Sequence, residues 1–204
     1  MSKDKSVKEK ILEKSIKAFL SKGFRGTTTT EITTAAGVAK GTLYWHFKSK
    51  DEILDAILEK FLKEFIGGID NAIANCSGNF LHKFKTFFKF GSEFSRDNFE
   101  LMLVYQTLLG EIVGSNSEAE IKMRAIQDRY DHLVQTLLDE GKKEGVIKED
   151  VDTYIQARIM TAALIGSYLQ WYLNASSYDS EYNRRYAIAF RKTLLKGVGV
   201  EIDR

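Results

Sequence analysis

Apolar residues return every three or four positions along nearly the whole chain, a spacing that gathers them on one side of an α-helix and predicts an all-α protein. No run of β-branched residues alternates with polar ones between turn signals, so no strand is expected. The first helix spans about 6–22, with Val7, Ile11, Ser15, Ala18 and Phe19 on one face and Leu12 and Ile16 beside them. Its lysines at 8, 10, 14 and 17 project elsewhere, and Gly23 ends it. A second helix starts after Thr28, where Thr28-Thr29-Thr30-Glu31 has the spacing of a capping box. Ile32, Ala35 and Ala36 form its inner side and Gly37 stops it. A short third helix covers about Lys40 to His46. The fourth starts near Ser49 on a second capping box, Ser49-Lys50-Asp51-Glu52, and carries Ile53, Ile57, Phe61 and Phe65 at helical spacing. Beyond the weak points Gly67-Gly68 and Ser77-Gly78, helices are read at 79–94, 97–113, 117–142, 150–174 and 181–197, about nine in all. The breaks between them are Gly114-Ser115-Asn116, Glu144-Gly145 and Ala175-Ser176-Ser177.

The 204 residues suffice for a small unit plus a larger helical domain, or for one large domain. Proline is absent, so helices can run without forced kinks and glycine supplies most breaks. Charge divides the chain. Residues 1–50 hold 11 Lys and Arg against 4 Asp and Glu, a net of +7, whereas residues 51–204 hold 19 against 24, a net of −5. A basic front and a mildly acidic rear suggest that only the front meets a polyanion, with a lysine-rich solvated helix as the plain alternative. Cys76 is the single cysteine, which rules out an intrachain disulfide and fits a reducing compartment. The charged stretch Met1 to Lys10 lacks the apolar core of a signal peptide. No apolar run approaches the roughly 18 residues of a membrane span. A soluble, cytoplasmic protein is the expectation.

The stretch from Gly23 to Leu54, GFRGTTTTEITTAAGVAKGTLYWHFKSKDEIL, describes two short helices joined by a tight turn. Small Ala35 and Ala36 let a neighbouring helix approach, Gly37 allows a positive φ, and Val38 plugs the angle. This is helix-turn-helix construction, in which the second helix enters the major groove of DNA. Lys40, Gly41 and Thr42 open that helix. Lys40 and Thr42 can contact bases or phosphates, and a glycine fits where backbone must approach another surface. Tyr44, His46 and Lys50 offer a hydroxyl, an imidazole and an ammonium suited to phosphate oxygens, and Trp45 a contact to a thymine methyl or a sugar. Phe47 reads as core. For Tyr44 and His46, core and plain surface are the bland alternatives.

At these residues the chain resembles the DNA-binding domain of TetR-family regulators, over about residues 6–66, with AGVAKGTLYWHFKSKDEIL the most specific part. The resemblance implies a DNA-binding domain at 6–66 and a helical ligand-binding and dimerisation domain at 67–204. It also implies a homodimer, a long fourth helix linking the domains, and binding of a palindromic double-stranded operator. It implies phosphate contacts from Thr28, Tyr44, His46 and Lys50, and groove contacts from Lys40, Gly41, Thr42 and Trp45. Two departures stand out: Ala39 where the family has Ser or Thr, which removes a capping hydroxyl typically worth ~1 kcal/mol, and Thr33 where it has Ala, whose hydroxyl needs a partner such as a helical carbonyl.

The rear half is less informative. Phe80, Phe84, Phe87, Phe88, Phe90 and Phe94 crowd one helix, Phe99, Met102 and Tyr105 the next, and Tyr168, Trp171 and Tyr172 a later one. Phe84, Phe88, Met102, Tyr105, Tyr168 and Trp171 are the candidate lining of a pocket for a small apolar or aromatic effector, with an ordinary core as the alternative. Small residues Ala162, Ala163 and Gly166 permit close helix packing, and the family's four-helix dimer interface is carried over to the last two helices. His82 and His132 are isolated, so no metal is expected. No nucleophile–base pair or phosphate-cradling loop argues for an enzyme, and no cofactor is expected. The expected function is an effector-responsive transcriptional regulator, repression being the commoner family outcome. Activation, or a ligand-binding module that no longer uses DNA, are the rivals.

Overall fold

A computed structural model describes residues 6–174 and 179–200. Among these residues the chain forms α1 (Val7–Gly26), α2 (Thr29–Ala36), α3 (Lys40–His46), α4 (Lys50–Phe61), a π-helical turn (Leu62–Ile66), α5 (Gly67–Ala74), α6 (Phe80–Asp97), α7 (Phe99–Ile112), α8 (Glu118–Lys143), α9 (Thr153–Asn174) and α10 (Ser180–Gly197). Leu62 and Ile66 both keep right-handed helical backbone, so α4, the π turn and α5 run on as one rod and nine rods result among the described residues. The expected break at Ala175-Ser176-Ser177 lies outside the described residues.

Gly67-Gly68 does not weaken the chain as expected; it begins α5. The reason is a close approach: a Cβ on Gly68 would lie 2.3 Å from Cζ of Phe90 on α6, so the missing side chain makes room for a ring. α5 ends instead at Asn75, just before Ser77-Gly78.

The chain divides into two compact units, one holding everything up to Phe65 together with Arg96–Ile126, the other Ile66–Ser95 together with the chain from Gln127 onward. In the first, α1 opens on a capping box in which Ser6 and Glu9 exchange hydrogen bonds. Ile11, Ile16 and Phe19 on α1 meet Ile32 and Ala36 on α2, Leu43 on α3, Phe47, and Ile53, Ile57 and Leu58 on α4 in one buried core. Each such aliphatic or aromatic side chain contributes about 1.5–3 kcal/mol on full burial. Ser15 is buried among them and donates to the Ile11 carbonyl at 2.8 Å, so its hydroxyl is satisfied. Val7 and Ala35 are exposed rather than on the inner faces assigned to them. α1 reaches only as far as Ile11 before its buried stripe begins, and in so short a helix as α2 the inward positions fall on Ile32, Thr33 and Ala36. α7 packs along α1 and buries Leu101, Val104, Leu108 and Ile112.

The second unit buries Phe80, Phe84 and Phe87 of α6, Tyr130, Val134, Leu137 and Leu138 of α8, Ala157, Met160 and Leu164 of α9, and Leu194 and Leu195 of α10. The first amide of α6 is held by the Glu144 carboxylate, at 3.0 and 2.9 Å from Phe80 N. The buried Asp131 carboxylate accepts from Thr161 Oγ1 at 2.5 Å and Gln127 Nε2 at 2.9 Å. No helix among the described residues is long and apolar enough to cross a membrane.

Candidate nucleic-acid interface

Two turns shape the front of the first unit. Thr28 caps α2: its hydroxyl accepts from Glu31 N at 3.2 Å while Thr28 N donates to Glu31 Oε2 at 2.8 Å. Glu31 also pairs with Lys22, and these partners hold its carboxyl down at about 2. Gly37 then turns the chain in the left-handed region (φ 62, ψ 41), with Val38 N donating back to Thr33 O at 3.1 Å. Thr33 is buried and its hydroxyl donates to Thr30 O at 2.8 Å, the helical carbonyl its position calls for. Ala39 opens α3 with no side-chain cap.

α3 turns Leu43 fully inward and presents the opposite side to solvent: Trp45 is 75% exposed and Tyr44 37%. Lys40 and Gly41 are exposed as well, with Thr42 and His46 half-buried. Nothing in the chain lies within 4 Å of where a Gly41 Cβ would sit, so the chain's own packing does not require this glycine. Lys40 Nζ stands 5.9 Å from the Tyr44 ring centre, Tyr44 OH is 3.4 Å from Thr29 Oγ1, and Trp45 meets His46 edge to face at 4.5 Å. Phe47 is buried, as expected. The structure thus carries Lys40, Gly41, Thr42, Tyr44, Trp45 and His46 on α3, with Thr28 at the start of α2. Lys50 is engaged differently. Its Nζ donates to the carbonyls of Phe24 at 2.6 Å and Thr27 at 2.8 Å, and lies 4.5 Å from the Phe24 ring centre.

The six residues considered for an effector pocket separate between the units. Met102 and Tyr105 are buried in the first, where Tyr105 stacks on Phe61 at 3.8 Å with the rings 3° from parallel. Phe84, Phe88, Tyr168 and Trp171 belong to the second. There Phe88 lies 5.0 Å from Phe84 and 6.2 Å from Phe190 between ring centres. The Tyr168 hydroxyl presses on the α6 backbone, where a Cβ on Gly91 would be 2.8 Å from it, and hydrogen-bonds with Ser95 and Tyr130. Burial pushes it up to about 12. Phe88, Tyr168 and Trp171 are half-buried.

Residues 11–57 match the family model described as bacterial regulatory proteins, tetR family, and residues 58–187 match the one described as YsiA-like protein, C-terminal region. The chain belongs to the TetR family. As a family member it is a transcriptional regulator with an N-terminal helix-turn-helix and a C-terminal helical domain. It is 26% identical to the Fatty acid metabolism regulator protein of Bacillus subtilis over 83% of this chain and 85% of that one. Among solved structures it resembles the MbdR regulator of Azoarcus sp. CIB, with a TM-score of 0.82 and 27% identity over 94% of this chain and 98% of that one. It also resembles FadR of Bacillus subtilis in complex with stearoyl-CoA, with a TM-score of 0.75 and 22% identity over 96% and 99% of the two chains, a likeness of fold.

Glu111, Ser95 and Tyr130 carry no signal in the sequence. Glu111 accepts from the backbone amides of Phe24 at 3.0 Å and Arg25 at 3.2 Å. A partnership across more than eighty positions leaves no local pattern, and a serine and a tyrosine on separate helices leave none either.

Proposed function

We propose that this TetR-family regulator acts as a homodimer that represses from a two-fold symmetric DNA site and releases it when an apolar acyl compound binds its second unit. The observation that carries the DNA reading is α3 itself. A seven-residue helix buries Leu43 completely yet leaves Trp45 75% exposed, flanked by Lys40, Gly41, Thr42 and Tyr44. An exposed tryptophan on a basic surface is unfavourable in water and finds its place against sugars and base edges. In this reading Lys40, Gly41, Thr42 and Trp45 enter the major groove, Thr28, Tyr44, His46 and Lys50 meet phosphates, residues 6–66 form the DNA-binding domain and 67–204 the ligand-binding and dimerisation domain.

Dimerisation is supported by α9. Thr153, Ala157, Met160 and Leu164 face the core, while Ile155, Ile159, Leu169 and Leu173 are 47%, 51%, 39% and 80% exposed. Ala162 and Gly166 lie exposed in the same stripe and would let a second copy come close. The effector class is supported by half-buried aromatics in the second unit, Phe88 next to Phe84 on α6 and Tyr168 and Trp171 on α9, and by the relative named for fatty acid metabolism. An acyl chain gains about 0.8 kcal/mol for each methylene buried against such walls.

The test is selection from random duplexes followed by fluorescence anisotropy on the selected site. The wild type binds it as a dimer, and a long-chain acyl thioester weakens binding by roughly 5–150-fold. Thr42→Ala selects a different site, since a good base contact is worth about 1–3 kcal/mol of discrimination. A wild-type protein that binds no duplex at low salt refutes the proposal.

A further inference from the structure

We propose that Glu111 is a positioning residue for DNA binding: from α7, its carboxylate fixes the Gly23–Thr27 turn on which both ends of the helix-turn-helix hang. The inference rests on the DNA-binding role proposed above and adds to it a residue that touches none of the candidate DNA contacts.

The turn begins where α1 breaks. Gly23 has φ 73 and ψ 166, a backbone conformation essentially restricted to glycine, and a Cβ there would lie 2.7 Å from Glu111 Oε1. A break in a helix leaves the next amides without their carbonyls four residues back. Here Glu111 takes two of them, one oxygen on Phe24 N at 3.0 Å and the other on Arg25 N at 3.2 Å. The carbonyls of the same turn go the other way. Phe24 O and Thr27 O accept from Lys50 Nζ at 2.6 and 2.8 Å. Thr27 locks the interior, its hydroxyl donating to Gly23 O at 2.7 Å and Ala18 O at 3.2 Å. Five residues are therefore held between an anion on α7 and a cation on α4, which take two of their amides and two of their carbonyls.

What the turn holds gives the clamp its consequence. Thr28, the next residue, caps α2, and Lys50 is the first residue of α4, directly after the Phe47–Ser49 link from α3. The reading segment from Thr28 to Ser49 is thus tied at both ends to one turn. Loss of Glu111 frees two amides, loosens the turn and lets α2 and α3 depart from the geometry that matches a specific site. The sign of the effect separates this role from simple electrostatics. Removing a carboxylate near a polyanion strengthens DNA binding by charge alone, whereas removing a positioning residue weakens it.

Glu111→Gln keeps the side chain's size and removes its charge. Glu111→Asp keeps the charge and falls one methylene short of the amides. Both are compared with wild type on the selected duplex and on a scrambled duplex of equal length. Both variants weaken the selected duplex about tenfold, equivalent to about 1.4 kcal/mol. Scrambled-duplex affinity stays as in wild type for Glu111→Asp and is equal or tighter for Glu111→Gln, and both variants raise hydrogen exchange in the 23–27 segment of the DNA-free protein. Unchanged or tighter binding of the selected duplex by Glu111→Gln overturns the inference, and so does unchanged exchange in that segment or an equal loss on both duplexes. If wild type binds no duplex, the DNA-binding reading falls together with this one; tight wild-type binding with an unaffected Glu111→Gln defeats this one alone.

Discussion

Lys50 shows how one side chain can carry two demands. In the sequence it stands where a basic residue opens α4 and reads as a phosphate ligand. In the structure two of its N–H groups already serve the Phe24 and Thr27 carbonyls. An ammonium has three donors, so the third stays available to a phosphate oxygen. Hydrogen bonds to charged groups contribute about 1.5–3 kcal/mol when sheltered, and this half-buried side chain earns about 1 kcal/mol after solvent screening. Lys50→Met should therefore lower the melting midpoint by about 2–4 °C. It should also flatten the slope of log affinity against log salt by about one unit. A calorimetric scan reads the first effect and anisotropy over a salt series the second. The carbonyl contacts were invisible in the sequence because they join positions more than twenty residues apart, whereas the capping roles of Thr28 and Ser49 were legible because each is settled within one helical turn.

Among the elements, glycine carried the least readable signal. Gly37 was legible because a short helix ends there and the chain reverses in the left-handed region. Gly67 and Gly68 looked like a similar interruption and are the start of α5, since what selects glycine at 68 is the Phe90 ring of another helix. Gly41 differs from both. It sits inside α3 with nothing near it, so its absent side chain serves no contact within the chain. Gly41→Ala should raise stability by up to about 1 kcal/mol through helix propensity alone. It should at the same time weaken binding to the selected duplex by at least tenfold, because the added methyl stands where the proposed groove contact brings the backbone against DNA. Opposite signs in a thermal melt and a binding titration are the expected pair. The helical pattern, the Thr28–Glu31 capping box and the core positions Ile11, Phe19, Ile32 and Leu43 were readable from spacing, whereas the box expected at Ser49 is only half made, because Glu52 Oε2 accepts from Lys48 N instead of Ser49 N. Which aromatics share a unit was not, and Met102 and Tyr105 fall with α1 and α4 rather than with Phe84 and Phe88.

For the whole molecule, the feature with the widest reach is the uncovered side of α9. Ile159 is 51% exposed in the middle of that stripe. Ile159→Arg should convert the proposed dimer to monomer in sedimentation velocity while leaving helical content unchanged, since the substituted position faces away from the unit's core. Specific DNA binding should fall with it, because a monomer reads one half-site.

In the proposed dimer, a surface that meets its own copy makes the assembly feel every inherited change two times over. A substitution worth half a kcal/mol on one chain shifts the partnership by about a whole one, as both sides alter together. Two sister genes that drift slightly along this strip therefore stop exchanging subunits early, well before the parts that read DNA have diverged, and each is free to answer to a different signal.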